Sequence, residues 1–325
     1  MVAIGMSAGA VARVRFAVSC LWEVVAGLRV LRDPGRHAVH LPWVRRVRPE
    51  LVRAGLIERP GSLLWALVPA APGYLPDFLT PVPAGLAPEL ADELAVLRST
   101  PAETVRADLD SYTRIAAGPV RALREDPVEG LRLLSRQIAA YWDIAVAADW
   151  PRMRALLEGD ILGRARQVAE AGAAEMLNSL HEQVRWEHGA LSVRQPHCTA
   201  ANLADGGGLT LVPSVFAWPD VLTVSTGLLP QLAYPARGAA ALWEAAPPVA
   251  DALGAVLGQS RARLLAEMGA PVSTSELARR TGITAGGVSQ QLTVLRAAGL
   301  VVTHRQGRAI LNSRTSVADA LLSAS

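Results

Sequence analysis

The sequence predicts an α+β fold that is mainly α, with a mixed helix and sheet N-terminal domain followed by a smaller C-terminal unit. Three observations carry this. Apolar stripes of helical period dominate residues 19–181, the period shortens to two near residue 184, and residues 273–312 run helix, tight turn, helix and hairpin. With 325 residues, 51% of them hydrophobic, the chain can bury a large core in two domains. We place these at 1–245 and 246–325, because Pro247-Pro248 breaks the bridging stretch from Ala239 to Leu257.

Taken in order, Ser19 to Arg32 reads as an amphipathic helix carrying Leu21, Trp22, Val25 and Leu28 and ended by Asp33-Pro-Gly35. Further helices are predicted at 88–98, 103–114, 127–149 and 151–181, with Pro127 and Pro151 at first-turn positions. Val184, Trp186, Leu191 and Val193 then alternate with polar residues around His188-Gly189, which predicts a hairpin. Strands follow near 208–216 and 221–226. The weakly charged stretch 206–234 is broken by Asp220 and by Pro213, Pro219 and Pro230, so it is read as buried strands and not as a membrane span. A single helix from about 250 to 268 is predicted to open the C-terminal domain.

Ser273 to Glu276 has capping-box spacing, in which Ser273 accepts from the amide three residues on and Glu276 reaches back to the cap. Leu277 supplies the buried face of that short helix, Gly282 ends it and Ile283 packs beneath the turn. Thr284 caps a second helix, whose Val288, Leu292 and Leu295 form one inward stripe. Ser289, Thr293 and Arg296 fall on another stripe with Gln290 beside them, and these side chains suit base edges or phosphates. Gly286 and Gly287 would let backbone amides approach a phosphate. Gly299 closes the helix. Residues 300–304 and 308–312 are predicted to pair around Arg305-Gln306-Gly307, placing Arg305 and Arg308 at the tip, where Arg suits phosphate or minor-groove contact. This order is what a winged helix-turn-helix needs to seat one helix in the major groove.

The segments Ser275-Glu-Leu-Ala-Arg-Arg-Thr-Gly282, Val288-Ser-Gln-Gln-Leu-Thr-Val-Leu-Arg-Ala-Ala-Gly-Leu300 and Arg305-Gln-Gly-Arg308 resemble the ArsR/SmtB group of winged-helix repressors. The group's usual His before the recognition-helix Leu is Gln291 here, and its usual aromatic in the second wing strand is Asn312. Its metal-sensing members carry a Cys-x-Cys pair where this chain has Ser273 and Ser275, and a hydroxyl cannot replace a thiolate toward a soft metal. The C-terminal metal site of the group needs His and carboxylates, and residues 316–325 offer Asp319 alone. No metal and no cofactor are expected. Upstream, Leu28-Arg-Val-Leu-Arg-Asp-Pro-Gly-Arg-His37, His40-Leu-Pro-Trp-Val44 and Gly73-Tyr-Leu-Pro-Asp-Phe78 resemble the long N-terminal region that accompanies this kind of winged helix in actinobacterial regulators, a region without a defined activity.

The resemblance implies a homodimer, paired through the first and last helices of the winged domain, that reads a near-palindromic double-stranded operator with half-sites roughly 34–36 Å apart. The expected DNA-contacting residues are Ser275, Thr284, Gly286, Gly287, Ser289, Gln290, Thr293, Arg296, Arg305, Gln306 and Arg308. Charge agrees: residues 259–325 hold eight Arg against three acidic residues, a net +5, which leaves −2 for the rest of a chain whose total is +3. Every basic residue is Arg and none is Lys, so Arg richness alone argues nothing.

Eight Trp against three Phe suggests an aromatic pocket for a small organic effector in the N-terminal domain, and Trp22, Trp142, Trp186 and Trp218 are the candidates, with core packing as the plainer reading. His181, His188, His197 and Cys198 match no zinc spacing. The run Arg36, His37, His40, Arg45, Arg46 and Arg48 is read as a solvated face rather than a second nucleic-acid contact. Gly206-Gly-Gly208 lacks the Lys and helix of a phosphate loop, and no nucleophile with its base stands out, so no enzyme is expected. Two lone cysteines and an early stretch interrupted by Arg13 and Arg15 point to a cytoplasmic protein without a membrane partner. The expectation is a repressor of transcription. The competing readings are a winged-helix protein-interaction module and an enzymatic N-terminal domain fused to a DNA-binding one.

Overall fold

The computed structural model describes residues 2–5, 13–71, 73–110, 118–187, 190–194, 208–224, 230–243, 249–268, 271–306 and 309–323. The fold is α+β and mainly α, and the backbone divides into two compact units, Met1–Trp243 and Glu244–Ser325. The junction expected at 245/246 falls outside the described residues.

The first unit begins with β1 (Val2–Gly5), β2 (Arg15–Phe16) and α1 (Cys20–Arg32). Ser19 caps α1, its hydroxyl accepting from the Trp22 amide at 3.2 Å. Eleven of the thirteen residues of α1 are buried, so it is a central helix buried nearly all round and not the one-sided amphipathic helix expected. Around it lie α2 (Leu41–Arg53), α3 (Leu63–Leu67), α4 (Leu90–Arg98), α5 (Ala102–Asp110), α6 (Pro119–Glu125) and α7 (Pro127–Ala145). The single helix expected over 151–181 is two, α8 (Trp150–Ala171) and α9 (Ala173–Asn178), because Gly172 takes a φ of 85° that a continuous helix cannot hold.

The predicted hairpin is present as β3 (Val184–Glu187) and β4 (Ala190–Val193), and β1 adds to its far edge in the order β1-β4-β3. Three further strands, β5 (Thr210–Ser214), β6 (Leu222–Val224) and β7 (Gln231–Pro235), form a second sheet in the order β2-β5-β7-β6, with β6 antiparallel to its neighbour. Alternate residues of that sheet face two different cores. Val212 and Ala233 join the large core around α1, while Leu211, Leu232 and Tyr234 pack with Met176, Leu180 and Leu191 on the other face. A sheet covered on both faces explains the near-continuous apolar run. Among the described residues no helix is long and apolar enough to cross a membrane.

In the second unit α10 (Val249–Leu257) and α11 (Gln259–Glu267) replace the one helix expected over 250–268, separated by Gly258 at φ 88°. Then follow β8 (Val272–Ser273), α12 (Thr274–Thr281), α13 (Ala285–Ala297), β9 (Val301–Gln306), β10 (Ala309–Arg314) and α14 (Ser316–Ser323). The sheet order is β8-β10-β9. Leu264, Leu265, Leu277, Val288, Leu292, Leu295 and Leu300 form its core.

Candidate nucleic-acid interface

The helix-turn-helix is set by caps. Ser273 Oγ accepts from the Glu276 amide at 3.2 Å, as the capping-box spacing predicts. The reciprocal half differs, because the Glu276 carboxylate accepts from Arg279 Nη2 at 2.6 Å and from Arg280 Nε at 2.8 Å. Those hydrogen bonds hold its carboxyl down at about 2. Gly282 then turns the chain in the left-handed region at φ 69°, its amide donating to Ala278 O at 2.9 Å. Ile283 packs against the core below the turn.

Thr284 caps α13 by accepting from the Gly287 amide at 3.2 Å. That amide is thereby engaged, and a Cβ at Gly287 would lie 3.0 Å from Ile283 Cγ2 and 3.1 Å from Thr284 Oγ1. Gly287 thus serves the packing of the turn, which corrects its expected role as a phosphate amide. Gly286 has no neighbour within 4 Å of its Cβ position and stays open to an approaching backbone. Gly299, at φ 71°, donates to Arg296 O at 3.0 Å, and the Leu300 amide returns to Leu295 O at 2.9 Å to close the helix.

Val288, Leu292 and Leu295 are buried, so the opposite surface of α13 is fixed outward. Ser289, Gln290, Thr293 and Arg296 are all exposed there, as are Ser275 on α12 and Thr284 at the cap. The hydroxyl of Thr293 donates to Ser289 O at 3.0 Å, and Arg296 Nη2 donates to Thr293 Oγ1 at 3.2 Å. The guanidinium of Arg296 therefore lies along its own helix, within reach of the same surface. Gln291, the next residue along α13 after Gln290, turns the other way. Its Oε1 accepts from Arg261 Nε at 2.9 Å, tying α13 to α11.

The wing is longer than expected. Pairing runs from Val301 opposite Arg314 to Gln306 opposite Ala309, so Arg305 and Gln306 are strand residues, not the turn. Gly307 and Arg308, and the side chains of Arg305 and Gln306, lie outside the described residues. Asn312 is buried. Its Oδ1 accepts from Thr303 Oγ1 at 3.1 Å and its Nδ2 donates to Val272 O at 3.4 Å, so one amide joins all three strands.

In the first unit the four Trp candidates occupy separate settings. Trp22 is sealed in the large core with Nε1 donating to Gln231 Oε1 at 3.0 Å, and Trp142 is buried edge-on against Trp150 at 4.8 Å. Trp186 is half-buried against the smaller core, and Trp218 is 38% exposed. They do not surround one cavity. The aromatic cluster that does form was missed by sequence reasoning: Trp43 and Phe216 lie 4.4 Å apart by ring centroids, Trp243 stacks on Phe216 at 5.8 Å, and His40 packs edge-on to Phe216 at 5.2 Å. The Trp43 indole donates to Ala145 O at 2.8 Å and the Trp243 indole to His40 Nδ1 at 2.7 Å. Burial lowers the His40 pKa to about 4.

Of the basic run 36–48, Arg45, Arg46 and Arg48 lie on the side of α2 away from its buried Trp43, Val44, Val47 and Leu51, whereas His37 and His40 precede the helix and are buried, which corrects their expected place on a solvated face. Arg36 pairs with Asp220 at 2.9 Å, Arg46 with Asp149 and Arg48 with Glu58. His188, His197 and Cys198 of the unrecognised metal spacing lie outside the described residues.

Comparison with known families finds two matches. Residues 119–240 match a family of unknown function (DUF5937), which covers much of the first unit from α6 to β7. No curated protein and no solved structure matches the chain. Residues 259–304, from α11 into the first wing strand, match a helix-turn-helix domain, and the chain therefore carries a helix-turn-helix unit of the kind used by DNA-binding regulators.

Proposed function

We propose that the protein is a sequence-specific transcriptional regulator, a homodimeric repressor that binds a near-palindromic operator through α13 and is modulated by a small organic ligand or partner at its N-terminal unit. The observation that carries this reading is the outward stripe Ser289, Gln290, Thr293 and Arg296 on a helix whose other face is locked by Val288, Leu292 and Leu295. Hydroxyl, amide and guanidinium groups at that spacing match major-groove donors and acceptors, in a unit that carries the chain's excess of positive charge. We assign no catalysis to the first unit and place the protein in the cytoplasm, where an operator is accessible. An effector would act by binding better to the arrangement that does not fit DNA.

Genomic DNA selection with the purified protein tests this. Enrichment of one near-palindrome supports the dimeric regulator. Uniform recovery of all sequences, or none, overturns it in favour of a protein-interaction module.

A further inference from the structure

The joint between α10 and α11 is closed by one side chain. α10 ends at Leu257, whose carbonyl is one of the last four that a helix leaves without an intrahelical partner. Arg261, in the first turn of α11, reaches back across the joint, and its Nη1 donates to Leu257 O at 2.8 Å. The same guanidinium reaches forward, its Nε donating to Gln291 Oε1 on α13 at 2.9 Å. One planar group thus spans three helices. Its donors are fixed in a rigid fork, so the direction of one bond sets the direction of the other.

Two further observations distinguish this bridge from an ordinary cap. Gly258 carries the break between α10 and α11 at φ 88° and ψ 140°, a backbone that suits glycine, and a Cβ there would meet nothing within 4 Å. No neighbour therefore wedges the joint at that residue, and the angle is left to contacts such as the Arg261 bridge. Both acceptors of Arg261 are neutral oxygens, and among the described residues no carboxylate lies within ion-pair distance of it. A guanidinium on a neutral oxygen is held less strongly than one on a carboxylate, so the bridge favours one arrangement without locking it.

What the bridge holds is the roll of α13. Val288, Leu292 and Leu295 pack inward, Gln290 is exposed, and Gln291 follows it by one residue, about 100° further round the axis. Holding Gln291 to α11 on one side fixes how Gln290 is presented on the other.

We propose that Arg261 is a positioning residue for DNA reading: it ties the lie of α10, the first described helix of this unit, to the roll of α13, and the bridged arrangement is the one that reads sequence. This rests on the regulator reading above. Reorienting α10 draws the guanidinium off Leu257 O or off Gln291. Discrimination between sequences then falls, while attraction to phosphates, which Arg261 does not supply, is kept.

The test is fluorescence anisotropy of the full chain on the selected operator and on a scrambled duplex over a salt series, with hydrogen exchange on the free protein. R261A and Q291A should each lower the ratio of operator to scrambled affinity about tenfold, with scrambled affinity and salt slope unchanged. The double variant R261A/Q291A should be no worse than either alone. G258A, which adds a methyl to open space and touches neither partner of the bridge, should lower the ratio in the same way. In the free protein R261A should raise exchange at the end of α10 and along α13 together. An equal loss on both duplexes, with the salt slope smaller by about one, would make Arg261 a phosphate contact and overturn the proposal. So would additive losses in the double variant, or a ratio that R261A does not move. If R261A does not fold, Q291A and G258A decide by the same ratio. Joint loosening of α10 and α13 in a chain that selects no DNA refutes the regulator and leaves the bridge standing. Unaltered α13 exchange in R261A, where the wild type does select an operator, refutes the bridge alone.

Discussion

Gln290 and Gln291 are neighbours of identical chemistry with opposite fates. Gln290 is exposed on the outer surface of α13, and Gln291 spends its carbonyl on Arg261 Nε at 2.9 Å. Substituting them separates base reading from assembly. Gln290→Ala should relax preference at one operator position by about 1–3 kcal/mol and leave stability unchanged, as read by selection on a randomised operator and by thermal melting. An unaltered preference would remove Gln290 from the interface. A second residue-scale expectation concerns His40, which is held neutral in the fold. Its pKa falls from an ordinary 6.5 to about 4, so the unfolded chain binds the more protons between those values. Its contribution is complete above pH 6.5 and is lost as pH falls toward 4. His40→Gln should therefore lose less stability than the wild type between pH 7 and pH 4.5, measured as urea midpoints. Equal losses would show that another group governs the acid limb.

Among the elements, α12 and α13 were legible in the sequence because everything that defines them is local. Ser273, Gly282 and Thr284 mark the ends within a few residues of the stripes they bound, and each acts in the structure as its side chain or φ allows. Thr284→Ala should accordingly destabilise the second unit by about 1 kcal/mol, seen by chemical denaturation, and a null effect would mean that water replaces the cap without cost. Elements held by distant pairing were not legible. The two residues of β2 form a strand only because β5 lies beside them, Arg15 opposite Thr210. Likewise α1 looked one-sided by its Leu and Val spacing, since the sequence does not show that Glu23 and Gly27 also turn inward. The breaks at Gly172 and Gly258 were missed because glycine inside a helical pattern is compatible with either a weak helix or a stop, and only the positive φ decides. For the site, periodicity revealed the exposed polar stripe of α13, whereas the aromatic cluster draws on residues 40, 43, 216 and 243, a juxtaposition no spacing rule encodes.

At the scale of the molecule, the family match over 119–240 begins long after α1 has ended, yet α1 is the helix around which that segment folds. Trp22 donates to Gln231 of β7 at 3.0 Å, and Glu23 accepts from the Val215 amide at 2.9 Å. Residues 119–240 expressed alone should lack their centre: a fragment with helical far-UV circular dichroism, no cooperative melt and dye binding typical of exposed apolar surface. A cooperative, well-dispersed fragment would show that α1 is ornamental. Adding residues 13–110 in trans should restore order if the core is complementary. The wider consequence is evolutionary accounting for insertions and deletions. Because the first secondary elements and the last of this unit are interlocked, a regulator of this design can exchange its DNA-reading module at the chain's end far more readily than it can shorten its beginning.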